Sequence, residues 1–142
     1  MKSNKEILSS ILKTTQMGQI GIRCVEDRAI SQELKQALAS QRREYDSIER
    51  EAHALAEIRG WVLPELNPTV RTMAEMMTRM RLRGDRIDSK IAGMMIQGNT
   101  KGVITGLKNR HQYSLRDHRV DALSQKLLDR ENENIRQMEP FL

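Results

Sequence analysis

Glu49 and His53 stand four residues apart, a spacing that puts a carboxylate and an imidazole on one face of a helix. In helical bundles such pairs are the raw material of metal chemistry. The usual two-metal arrangement takes a glutamate from each of two helices and a Glu-x-x-His pair from each of the other two, all facing inward. The chain has three histidines, and none completes that step: Arg50 precedes His53 by three, Lys108 precedes His111 and Leu115 precedes His118. Glu26, Glu49, His53 and Glu131 are thus the candidate ligands if iron or manganese binds here. The leading expectation is no cofactor and no catalysis. Cys24, the single cysteine, has no partner for an intrachain disulfide, and the C-terminal half of a helix raises a thiol's pKa rather than activating it. Glycine-rich phosphate loops and a nucleophile elbow are absent from the sequence.

A second group of residues is polar where the hydrophobic pattern turns inward. Thr15, Gln41, Tyr45, Glu131 and Asn134 fall on otherwise apolar stripes. A buried polar group without a partner costs ~1–3 kcal/mol, so these five must bond to one another or to a ligand. The simpler expectation is a hydrogen-bonded layer that fixes the register of the helices. The alternative is a small polar pocket in mid-bundle, in which Glu131 is the only charged member.

Four long helices carry these positions. The first is predicted from about Asn4 to Asp27, with Leu8, Ile11, Thr15, Gly18, Ile22 and Val25 recurring at helical steps. The second runs from Ser31, a good N-cap, to Arg59. Its seam of Leu34, Leu38, Gln41, Tyr45, Ile48, Ala52 and Leu55 alternates steps of four and three, as long bundle helices do. Gly60 ends it. Trp61 to Pro68 reads as a loop, and Asn67-Pro68 as the start of a third helical region. A stripe continues from Val70 through Met73, Met77, Met80, Gly84, Ile87, Ile91, Met94, Gly98 and Gly102 to Thr105. A bend near Gly84 is expected to divide it into a short crossing helix and a main third helix. The last helix is predicted from His118 to Met138 and stopped by Pro140. Gly98 and Gly102 are expected to pack closely against a neighbouring helix, with Gly18 opposite.

The chain of 142 residues has the length expected of one domain, with a net charge of +5 and 3% aromatic residues. The charges are mostly interleaved. The one basic excess, Arg79, Arg81, Arg83 and Arg86, makes nucleic acid a possible partner but not the favoured one. Met73, Met76, Met77 and Met80 on the crossing helix favour self-association instead, as a homo-oligomer and in the simplest case a dimer. No run approaches the ~18 apolar residues of a membrane span, and the opening residues lack a signal-peptide pattern. Cytoplasm is the expected compartment, and no membrane partner is expected.

The stretch Ile91-Ala92-Gly93-Met94-Met95-Ile96-Gln97-Gly98-Asn99-Thr100-Lys101-Gly102-Val103-Ile104 carries a family resemblance. Gln16-Met17-Gly18, the Gln41 and Tyr45 pair, and Glu131-Asn132-Glu133-Asn134-Ile135 share it. Together they resemble a family of small ferritin-like proteins, a domain of unknown function, from anaerobic Gram-positive bacteria. The resemblance implies an all-α, ferritin-like four-helix bundle with a long crossover and a short extra helix between helices two and three. It implies no established activity. On that fold Gln97 stands about where an acidic residue would help a metal site, which makes it a further polar core candidate.

Overall fold

A computed structural model describes residues 1–142. It is all-helical, and no strand forms. The helices are α1 (Asn4–Val25), α2 (Gln32–Arg59), α3 (Thr69–Arg81), α4 (Ile87–Gln112) and α5 (His118–Met138), with a closing 3-10 turn at Glu139–Phe141. None is long and apolar enough to cross a membrane.

The helix starts and stops follow from side-chain chemistry. Ser3, Ser31 and Asp117 each accept a hydrogen bond from a first-turn N–H group of α1, α2 and α5, satisfying donors that have no partner inside the helix. Gly60 ends α2 in the left-handed conformation, φ 69°, which glycine adopts without steric cost. The expected bend near Gly84 is there: Gly84 (φ 87°) and Arg86 (φ 56°) break the stripe between α3 and α4. The third helical region is therefore two helices, as the stripe's excessive length suggested.

Four polar ties set the directions of the helices. The Asp88 carboxylate, at the start of α4, accepts from the N–H groups of Ile30 (2.8 Å) and Ser31 (2.9 Å) at the α1–α2 turn. At the opposite end, Lys2 N–H donates to Gln112 O (2.7 Å), Asn4 Oδ1 accepts from Asp117 N–H (2.9 Å), and Arg59 pairs with Asp117 (2.9 Å). Hence α1 and α5 point one way and α2 and α4 the other. Helix α1 lies beside α2 and α4, and α5 closes the set against the same two. Because α2 and α4 are parallel, the chain must return along the whole bundle between them. Residues 61–86 do so, with α3 laid against α1. Arg28 on the α1–α2 turn fixes the far end of this return, donating to Leu82 O (3.0 Å). The core is a continuous aliphatic cluster including Ile7, Leu8, Ile22, Leu34, Leu38, Ile48, Ile91 and Val120, with Leu82 anchoring the crossover.

Candidate functional site

Four helices contribute to one buried polar cluster. Tyr45 from α2 reaches across the core to Glu131 on α5 and Asn99 on α4, with its hydroxyl 2.9 Å from Glu131 Oε1 and 2.9 Å from Asn99 Oδ1. Asn134, one turn beyond Glu131, donates its amide to the Tyr45 oxygen (3.3 Å). All four residues are at most 5% exposed. Helix α1 contributes by having no side chain. A Cβ on Gly18 would lie 2.6 Å from the Tyr45 ring, and a Cβ on Gly102 of α4 would lie 2.8 Å from the Glu131 carboxyl carbon. These two glycines are the space in which the phenol and the carboxyl fit.

Proton counting gives the state of the cluster. The Tyr45 hydroxyl has one proton and faces two acceptors. A neutral Glu131 resolves this by donating to the Tyr45 oxygen, which leaves the Tyr45 proton for Asn99. Burial favours the same outcome: it raises the Glu131 pKa to about 7, against the weaker lowering effect of the Tyr45 hydrogen bond. Burial and the adjacent carboxyl also push the Tyr45 phenol well above 10, so it serves as a fixed hydrogen-bonding group and not as a nucleophile. Two buried acceptors remain without a partner, Glu131 Oε2 and Asn134 Oδ1. Both call for a donor.

Tyr45, Asn99 and Glu131 form the floor of a groove of about 620 Å³ between α1 and α4, roofed by α3. Gly18 and Gly21 from α1 and Gly98 and Gly102 from α4 line it, with open space above Gly98, and Met17, Met94 and Met95 give it apolar walls. Met77 and Thr78 line it from α3. Lys13, Arg81 and Lys101 stand exposed around it, and none of the three forms an ion pair. Cys24 also lines the groove, its thiol pKa raised chiefly by burial.

Several sequence expectations find their places here. Tyr45, Glu131 and Asn134 come together as an inner cluster. Gln41 is buried one turn away and donates to Gln137 Oε1 (3.0 Å). Thr15 is buried but satisfied within its own helix by Ile11 O (2.8 Å). Gln97 is not a core residue: it is exposed at the edge of the groove, because the inward position belongs to Asn99, two residues on. Gly98 does not pack closely either. A Cβ there meets nothing within 4 Å, since it faces the groove and not a helix. Gly18 and Gly102 do sit in close contact, but with side chains from α2 and α5 rather than with each other.

The candidate metal ligands are dispersed. Glu26 is held by Arg42 (2.8 Å), Glu49 accepts from Gln16 (3.2 Å) and Gln19 (3.4 Å), His53 is exposed, and Glu131 stands apart with amides and a phenol. No three His, Cys, Asp or Glu side chains converge to hold an ion. These residues do not fit a di-iron or di-manganese centre, which needs several carboxylates with histidine support.

Asn99 was the missed member. Its signal lies in a seam one residue out of step with the expected stripe: Ala92, Met95, Asn99, Gly102, Gly106 and Asn109 alternate steps of three and four. Comparison of the chain with protein-family models, curated proteins and solved structures found no match.

Proposed function

We propose that this chain is a cytoplasmic, non-catalytic binding module on a ferritin-like bundle, without a resident metal, and that the α1–α4 groove is where it binds a small molecule. The observation that carries this reading is Glu131: a carboxyl 2% exposed, with one oxygen unpartnered, at the floor of a groove of about 620 Å³. Leaving a buried acceptor unmade costs ~1–3 kcal/mol, and a ligand that donates there recovers it. Methionine walls suit an apolar ligand body, because the thioether chain adapts to irregular shapes. The ferritin-like assignment draws support from the parallel placement of α2 and α4 and the long return between them.

The test is an NMR titration of the full chain with a set of eight-carbon compounds bearing different polar ends. Shifts are expected at the backbone amides of Gly18, Met95, Gly98 and Gly102. Gly98→Phe, which fills the groove at a position with free space, is expected to abolish them. If no compound moves these amides, or if the shifts persist in Gly98→Phe, the groove is not the binding site.

A second reading, self-association, is favoured by one observation: Met73, Met76, Met77 and Met80 form one face of α3 and are 62, 62, 49 and 65% exposed. A dimer through this face buries apolar side chains, so it is not expected to weaken steeply with added salt. Light scattering across concentration and salt tests this. A species that stays monomeric at high concentration removes the dimer, and binding to nucleic acid that weakens steeply with salt would give the arginines to phosphate instead.

A further inference from the structure

The charges of the groove are unevenly placed, and the pattern is specific. Its one acid, Glu131, is at the floor. Its cations Lys13, Arg81 and Lys101 are exposed around it, on α1, α3 and α4, and unpaired. Between the two lie methionine side chains and the open face of Gly98. A ligand complementary to this gradient has a donor at its inner end, an apolar middle and an anion at its outer end. A simple fatty acid fails at the floor, where its methyl end would meet the unpartnered Glu131 Oε2. A simple amine leaves the outer cations unused.

We propose that the groove receives an ω-amino carboxylate, its ammonium group against Glu131 Oε2 and its carboxylate at the rim beside Lys13 and Lys101. The proposal rests on the groove being a binding site and adds the class of ligand. An ammonium is preferred over a hydroxyl on charge grounds: a buried carboxylate is costly alone and tolerated when paired and hydrogen-bonded. Pairing also couples binding to protons. The charged or titratable groups beside Glu131 are Tyr45 from α2 and Arg130 on its own helix, and the groove it lines also carries Lys13 and Cys24 on α1, Arg81 on α3 and Lys101 on α4. None of these neutralises the carboxyl in the free protein, whose pKa stands at about 7. An incoming ammonium lowers it, so the proton on Glu131 leaves as the ligand enters.

Isothermal titration calorimetry with 8-aminooctanoate, 8-hydroxyoctanoate, octanoate and octylamine tests this, run at pH 6 and pH 8 in buffers of different ionisation enthalpy. The amino acid is expected to bind at least tenfold more tightly than any of the other three. It is expected to release close to one proton per ligand at pH 6 and nearly none at pH 8. Glu131→Gln, which keeps the side-chain shape, is expected to remove both the proton release and the preference for the amine. Lys13→Ala with Lys101→Ala is expected to weaken 8-aminooctanoate and octanoate but not octylamine. Equal binding of the hydroxy and amino compounds, or of octanoate and 8-aminooctanoate, overturns the ammonium assignment while the groove stands as a site. If no member of the series shifts the groove amides of Gly18 and Gly102, both readings fall together.

Discussion

The behaviour of Glu131 sets a sign that can be measured. Its folded pKa, about 7, lies above the ordinary 4.5. The folded state therefore binds more protons than the unfolded one between those values, and stability falls as pH rises through that window, then levels. The loss is on the order of 3 kcal/mol for a shift of this size. Urea denaturation at pH 5 and pH 8 is expected to show it in the native chain and not in Glu131→Gln, which would be the more stable of the two at pH 8. Tyr45→Phe acts differently. It removes the hydrogen bond that lowers the Glu131 pKa, so the carboxyl should titrate still higher, seen by 13C NMR of the side chain. It also leaves Asn99 and Asn134 short of a partner, at a cost of ~1–3 kcal/mol. An unchanged Glu131 titration would show that the phenol does not govern the carboxyl.

Among the helices, the glycines separate into two kinds, and substitution distinguishes them. Gly18→Ala and Gly102→Ala drive a methyl into the Tyr45 ring and the Glu131 carboxyl and are expected to destabilise by ~1–3 kcal/mol through overpacking. Gly98→Ala meets nothing and is expected to stabilise by ~0.5–1 kcal/mol through helix propensity. Melting temperatures of the three variants check the order. The same contrast explains what could be read in advance. Helix α2 was legible in full because its seam is bulky and its outer faces are charged, so the pattern has high contrast. Helix α4 faces the core on one side and the groove on another, and covers both with glycine, methionine and small polar residues. Size then carries the information that hydropathy carries elsewhere. The stripe through Met94 and Gly98 therefore runs one residue off the seam that buries Asn99. Tyr45 and Glu131 were visible as inward polar residues, but nothing in the spacing linked them, because their contact spans 86 residues of chain.

Two acidic ties hold the ends of the molecule, and both fail in acid. Burial opposes ionisation of Asp88, but the N–H groups of Ile30 and Ser31 outweigh it and hold the pKa below 3.8. Asp117 is held below its ordinary value first by Arg59, then by the N–H groups of Val120 and Arg119. With folded pKa values depressed, their contribution is present above the unfolded pKa and is lost as pH falls below about 4. Asp117→Ala also removes the N-cap of α5, at an expected cost of ~0.5–2 kcal/mol at pH 7, and should make the acid transition shallower. Chemical denaturation at pH 7 and pH 3 reads both effects.

The long return from α2 to α4 divides the polypeptide into an α1–α2 half and an α4–α5 half, joined through residues 61–86. Tyr45 and Gly18 lie in the first half, and Glu131, Asn99 and Gly102 in the second, so neither half holds the groove by itself. Cleavage in the 61–68 segment would leave two pieces with one aliphatic interface between them. A molecule seated in the groove would touch both and act as an adhesive. The fraction of halves joined would then follow its concentration, which makes the cut protein a two-part sensor of whatever the groove retains.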